Sequence, residues 1–277
     1  FAYLITGLFA FLIMRSLGEL LLTNLEYNSF IDIVQDYLGN LPAFITGWTY
    51  WFSWTTIAMA DLTAVGVYTQ YWLPDVPQWI PGLIALVILL MMNLTTVKLF
   101  GEMEFWFALI KVIAIIGLIV IGVFMILRGF STDAGPASFT NLWTHGGMFP
   151  NGTTGFILAF QMVVFAFAGV ELVGLTAGET ENPEKVIPQA INNIPIRILI
   201  FYIGALAVIM SIYPWTAVNP LESPFVQVFV AVGIAAAAGI INFVVLTSAA
   251  SAGNSAIFST SRMMYSLSKE KNAPERF

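Results

Sequence analysis

Three ionisable residues stand inside long apolar stretches of the chain: Asp61, Lys111 and Glu171. A charge deep in a bilayer costs about 3 kcal/mol or more, so it persists where it faces a cavity, a partner or a ligand. An ammonium such as Lys111, alone among apolar neighbours, can occupy the place of a bound monovalent cation, and it can exchange a proton. The competing reading is a lysine whose long stem reaches back to the membrane surface and anchors its helix. For Asp61 and Glu171 the competing reading is an internal ion pair or a hydrogen-bonded bundle residue.

Glu171 carries a second signal. It lies two residues after Gly169 in the stretch GFILAFQMVVFAFAGVELVGL (Gly155–Leu175), long enough to cross a bilayer as a helix. Glycine costs about 1 kcal/mol in a helix interior, and here it sits at the depth of the charge. The spacing predicts that helical hydrogen bonding fails near Phe167–Val170. Broken spans of this kind supply the substrate sites of secondary transporters, because unwound backbone offers N–H and C=O groups. Hydroxyl and amide groups at Thr55, Thr56, Asn93, Thr247, Ser248, Ser251, Asn254 and Ser255 are less specific, and interhelical packing is the first expectation for most of them. The last four share one stretch with the small-residue runs GIAAAAG and SAASAG. Trp48, Trp51 and Trp54 recur every three residues and read first as a packing or interface stripe. His145 is the only histidine and falls in a polar loop, where no role is assigned to it.

The elements that position these groups follow from composition. The chain of 277 residues is 58% hydrophobic and 9% charged, against about 25% charge in soluble domains. The pattern is that of an all-α polytopic membrane protein. Apolar windows predict seven spans: Phe1–Leu22, Leu41–Tyr71, Ile80–Val97, Phe105–Leu127, Gly155–Leu175, Ile196–Tyr213 and Val232–Ile257. The ten-residue alternation of a membrane barrel is missing, and the absence of cysteine removes thiol chemistry. If the spans alternate, eight basic residues (Arg15, Lys98, Lys185, Arg197, Arg262, Lys269, Lys271 and Arg276) fall on one side and Arg128 alone on the other. That asymmetry places the first side in the cytoplasm. ENPEKVIPQA is expected to be a cytoplasmic loop, since Pro183 and Pro188 disfavour a helix. The chain opens within an apolar span and closes on the polar SKEKNAPERF. It therefore reads as one membrane transport domain over residues 1–277, truncated at both ends.

The stretches MRSLGEL (Met14–Leu20), GWTYWFSW (Gly47–Trp54), FGEMEFWFALIKV (Phe100–Val112), FAFAGVELVGLTAGETENPEKVIPQA (Phe165–Ala190) and INFVVLTSAASAGNSAIFSTSRMMYSLS resemble the bacterial amino acid permeases of the amino acid–polyamine–organocation superfamily. The resemblance covers essentially the whole chain. TNLEY, MADLTAV and NNIPIRILIFY are most similar to the branch that carries D-serine, D-alanine and glycine.

The resemblance implies a leucine-transporter-like fold of two inverted five-helix repeats, with the seven spans matching the family's second to eighth helices. It implies a multi-pass protein of the bacterial inner membrane that imports small neutral amino acids with protons. Its partners would be substrate, protons and lipid, without cofactor, metal or nucleic acid. Phe167, Ala168, Gly169, Val170 and Glu171 match the substrate-binding break. Lys111 matches a lysine thought to stand in for sodium and to couple protons, with Glu171 and Asp61 as further coupling candidates. Ser248 and Ser251 are the expected polar contacts on the eighth helix. Two other classes remain open: a non-transporting membrane sensor or scaffold of the same fold, and an intramembrane hydrolase with Asp61 and Glu171 as a dyad. The hydrolase lacks any accompanying motif, and the distance between its carboxylates decides it.

Overall fold

A chain in hydrocarbon must satisfy its backbone internally, so long apolar runs form helices. The computed structural model describes residues 1–277 except 95–96, 176–179, 181, 219–223, 232–234 and 275–277. Arg276, the side chain of Lys98, residues 176–179 and 181 of the motif ending in ETENPEK, and the first part of the GIAAAAG run lie outside the described residues. The helices run in chain order as α1 (Ala2–Leu21), α2 (Phe30–Leu38), α3 (Asn40–Thr69), α4 (Trp79–Asn93) and α5 (Val97–Leu127). A short hairpin of β1 (Ser131–Thr132) and β2 (Gly135–Pro136) and the single turn α6 (Asn141–Thr144) follow. Then come α7 (Gly152–Ala166), α8 (Leu172–Leu175), α9 (Pro183–Asn192), α10 (Ile194–Arg197), a π-helical segment (Ile198–Gly204), α11 (Ala205–Ile212), α12 (Pro224–Ala231) and α13 (Ala235–Lys269).

Among the described residues four helical runs are long and apolar enough to cross a membrane: Ala2–Leu21, Glu104–Leu127, Pro183–Ile212 and Ala238–Lys269. Trp79–Asn93 and Gly152–Ala166 are shorter apolar helices. The second expected span is α3, whose 30 residues cover about 45 Å at 1.5 Å per residue; its Trp, Tyr and Thr content makes it less apolar than the others. Helix α5 begins at Val97, eight residues before the expected start, because Glu102 and Glu104 are helical although they are not apolar. Lys111 is thus the fifteenth of 31 residues, at the helix centre.

Two elements correct the sequence reading. ENPEKVIPQA is not a loop: Pro183–Asn192 is helical, with Pro188 in its interior. Pro183 takes a position in the first turn, where the missing N–H has no helical partner in any case. Pro188 forfeits one backbone bond, but the helix is amphipathic and seals Ile187 and Ile191, 1% and 2% exposed, against α1. That burial, worth about 1.5–3 kcal/mol per side chain, offsets a proline cost of about 3 kcal/mol. The second correction is α2, an amphipathic helix missed beside its longer neighbours. Its start was legible in Ser29 and Asp32: the Ser29 hydroxyl accepts from Ile31 N (3.2 Å) and the Asp32 carboxylate from Ser29 N (3.1 Å), a capping box.

The packing sorts the chain into two ends. At one end Phe1 stacks on Phe149 with ring centroids 5.9 Å apart, Ser138 N donates to Ser211 O, and Trp215 Nε1 donates to His145 O. At the other, Trp48 Nε1 donates to Asn272 O (3.2 Å), and Asn28, Asp32, Leu175, Arg262 and Lys269 line a common cavity of about 200 Å³. The Tyr27 hydroxyl donates to Asp36 there (2.8 Å), which raises the pKa of that phenol. Arg128 closes α5 at the first end, whereas Lys185 and Lys269 lie at the second, as the charge asymmetry requires. A cysteine at Lys185 in an otherwise cysteine-free protein is therefore expected to react with a membrane-impermeant maleimide only from the cytoplasmic side. Labelling in intact cells would invert the topology.

Helices α3 and α13 form the backbone of the bundle. They approach closely at Gly47, where an added Cβ would stand 2.6 Å from Leu267 Cδ2. Around them one buried cluster joins α1, α7 and α9 through Met14, Val163, Ile187 and Ile191. Another joins α5, α11, α12 and α13 through Leu118, Val208, Val228 and Ile241.

Candidate functional site

The fifth expected span is broken where the sequence places the break. Helix α7 ends at Ala166 and α8 begins at Leu172. Between them the i→i−4 ladder lapses into three-residue turns: Phe167 N to Val164 O, Ala168 N to Phe165 O, Val170 N to Phe167 O and Leu172 N to Gly169 O. Gly169 adopts φ +101°, a left-handed conformation open to glycine and strained for residues bearing a Cβ. The neighbouring carboxylate closes the turn, with Gly169 N donating to Glu171 Oε2 at 2.9 Å. So Glu171, which is half-buried, is held by the backbone it follows, and its carboxylate has a partner that is not a cation.

Side chains from three other elements fix the break. The Tyr202 hydroxyl, on the π-helical segment, donates to Ala166 O at 2.9 Å and satisfies a carbonyl that the broken ladder leaves free. Its ring stacks on Phe167 at 5.1 Å and 11°, and Tyr3 of α1 completes an aromatic trio. Phe167 is buried in this packing rather than presented to open space. Trp54 of α3 is also buried and lies across the glycine, where a Cβ on Gly169 would meet Trp54 Cη2 at 3.7 Å. Beside the break, an open groove of about 560 Å³ is lined by Ile13, Leu17, Phe30, Tyr50 and Glu171 among others, and the Tyr50 hydroxyl is buried there without a hydrogen-bond partner.

The second cluster lies farther along α3. Lys111 Nζ donates to Ser251 Oγ at 2.8 Å, and Ser251 Oγ donates to Glu104 Oε1 at 2.7 Å. The lysine thus crosses to α13 and does not run to a surface. Asp61 packs against the same helix near Gly253 and lies within electrostatic reach of Lys111. Its Oδ2 and Glu104 Oε2 are both buried without a hydrogen-bond partner. Asn93 of α4 adds a link to α13, donating to Asn254 Oδ1 at 2.8 Å.

Of the expected residues, then, Lys111, Ser251 and Asp61 are brought together, and Phe167 to Glu171 form the break. Ser248 does not join either group: its hydroxyl donates to Val244 O in its own helix (2.7 Å). Ser248 stands one turn from Ser251, about 4.5 Å along the axis, and a serine hydroxyl on a helix commonly bonds back to the carbonyl of the preceding turn. Thr55, Thr56 and Thr247 do the same. Glu104 was missed because it lies outside the apolar window. The signal was its spacing, since residues seven apart share one helix face after two turns.

The two groups are separate. Trp54, which touches the break, and Asp61 are seven residues apart on α3, about 10 Å along the axis, and Tyr50, beside Glu171, is eleven residues from Asp61, about 16 Å. A carboxylate dyad shares a proton at about 3 Å, so Asp61 and Glu171 do not form one.

The model of the amino acid permease family matches residues 1–277. The chain is 79% identical over 275 residues to the uncharacterized transporter YdgF of Bacillus subtilis (strain 168), covering 99% of this chain and 60% of that protein. It is 76% identical over 274 residues to the amino-acid permease AapA of the same organism, covering 99% of this chain and 59% of the relative. It is 56% identical over 278 residues to the D-serine/D-alanine/glycine transporter of Escherichia coli (strain K12), covering all of this chain and 59% of that one. The chain thus spans about 60% of the length of the curated relatives it matches. With a helical membrane architecture, a broken span and a family match along every residue, this chain belongs to the amino acid permease family.

Proposed function

We propose that the chain forms the substrate- and proton-handling part of a secondary transporter that imports small neutral amino acids, such as D-alanine, D-serine and glycine, across the bacterial inner membrane. The observation that carries this reading is the break at Phe167–Glu171. It places a left-handed glycine, irregular backbone and a carboxylate inside an apolar span, and an amino acid zwitterion needs both donors and acceptors at membrane depth. Phe167, Ala168, Gly169, Val170 and Glu171 would hold substrate, with the Tyr202 and Trp54 contacts keeping their backbone directed. Lys111, with Asp61 and Ser251, would carry the proton, and Glu171 is a second candidate for that task. The family match supports the inverted-repeat fold with 1–277 as part of one transport domain.

The 56% identity to a D-serine/D-alanine/glycine transporter supports the substrate range. In cells expressing the full-length protein, excess D-serine, D-alanine or glycine is expected to cut labelled D-alanine uptake by more than half. Arginine and glutamate at the same concentration are expected to have little effect. Uptake of aromatic or cationic amino acids with none of alanine would reject this assignment, and no uptake of any amino acid would favour a sensor or scaffold.

A further inference from the structure

Lys111, Ser251 and Glu104 lie on one continuous hydrogen-bonded line, and its polarity is defined. Lys111 Nζ donates to Ser251 Oγ (2.8 Å), and the same hydroxyl donates onward to Glu104 Oε1 (2.7 Å). Ser251 is fully buried, at 0% exposure, so its hydroxyl bridges the two groups where water does not reach it. Glu104 and Lys111 share one face of α5, two turns apart, and Glu104 is the nearer to the Lys- and Arg-rich end of the bundle. The other oxygen of Glu104, Oε2, is buried and has no hydrogen-bond partner. The groups that act on the ammonium are Asp61 from α3, Glu104 from α5 and Ser251 from α13, and Asn254, three residues after Ser251 on α13, is tied to Asn93 of α4. Of these, Glu104 is the acid joined to Lys111 through a hydroxyl, whereas Asp61 acts on it through space.

We propose that Ser251 relays a proton between Lys111 and Glu104, making Glu104 the group through which Lys111 discharges toward the cytoplasmic end; this rests on the proton-coupled reading above and names its route. One Nζ–H proton of the ammonium passes to Ser251 Oγ while the hydroxyl proton of Ser251 passes to Glu104 Oε1. The Nζ–H and the original Oγ–H bonds break, and new Oγ–H and Oε1–H bonds form. An ammonium, a hydroxyl and a carboxylate become an amine, a hydroxyl and a carboxylic acid, with no change in total charge. In a low-dielectric site the neutral pair avoids the desolvation cost that two buried ions carry, so the two states can interconvert as the surroundings change. A substrate-loaded carrier can reorient with Lys111 protonated. Net import requires the proton to leave, and that step uses Glu104.

The test uses the full-length protein in proteoliposomes with an imposed proton gradient and labelled D-alanine. Glu104→Gln preserves shape and an acceptor oxygen but cannot take up the proton. It is expected to lower gradient-driven accumulation at least tenfold while D-alanine counterflow, which needs no net proton release, stays measurable. Ser251→Ala is expected to show the same split, and Ser251→Thr, which restores a hydroxyl, to recover a substantial part of accumulation. Wild-type accumulation and pH dependence in Glu104→Gln, with the loss appearing in Asp61→Asn instead, would route the proton through Asp61 and overturn the proposal. If the unmodified protein transports D-alanine but ignores the gradient, the symport reading itself fails and the relay falls with it.

Discussion

Replacing Gly169 by leucine in the full-length transporter is expected to reduce amino acid uptake below a tenth of the wild-type rate while the protein still inserts in the membrane. The cause is local backbone geometry. Gly169 holds φ +101°, and a bulky L-residue held in a sparsely populated region costs about 1–3 kcal/mol, or about 5- to 150-fold in an equilibrium. A leucine must either accept that strain or rotate its backbone, and rotation breaks the Gly169 N–H to Glu171 bond that closes the turn. Its side chain would also enter the space between Trp54 and Leu172, whose nearest atoms lie 3.7 and 3.9 Å from an added Cβ. Gly169→Ala separates the two effects. Its methyl group makes ordinary contacts there, so it tests backbone strain alone and is expected to give an intermediate loss. Labelled uptake together with membrane protein levels decides the matter. Wild-type uptake in the leucine variant would remove the break from the transport site.

Lys111→Ala and Lys111→Gln are both expected to abolish gradient-driven accumulation, with the alanine variant also losing thermal stability. Lys111 is the cation within reach of Asp61 and Glu104 and the donor to Ser251. Removing one partner of a buried charge set leaves the others uncompensated, typically at about 3–5 kcal/mol. Glutamine keeps a donor for Ser251 but holds no exchangeable charge, so stability should recover further than coupling. The readouts are melting temperature in detergent and the pH dependence of uptake. If either variant concentrates substrate with the wild-type pH dependence, Lys111 is a structural tether and Glu171 becomes the leading candidate for coupling.

The break and the cluster differ in how legible they were. The break is a local event: a glycine beside a carboxylate in an apolar run weakens the helix and demands a partner whatever surrounds it, so the position follows from neighbouring residues. The same holds for the cap of α2, written in Ser29 and Asp32. Pro188 shows the limit of local reasoning. Its intrinsic effect is to end a helix, yet burial of Ile187 and Ile191 against α1, a segment more than 160 residues away, keeps it helical. Likewise, propensity says nothing of the Tyr202 hydroxyl reaching Ala166 O across 36 positions.

The sequence by itself determined the helical membrane class and singled out Asp61, Lys111 and Glu171 within its apolar runs, because hydrophobicity and charge act residue by residue against a fixed solvent. Only the tertiary structure decided which of those charges share a site. Lys111 and Ser251 are separated by 140 positions; their meeting depends on the rotation and depth at which α5 packs against α13, and a shift of one residue turns a helical side chain by about 100°. The same geometry brought Glu104 into the cluster, left Ser248 bonded within its own helix, and kept Asp61 and Glu171 apart.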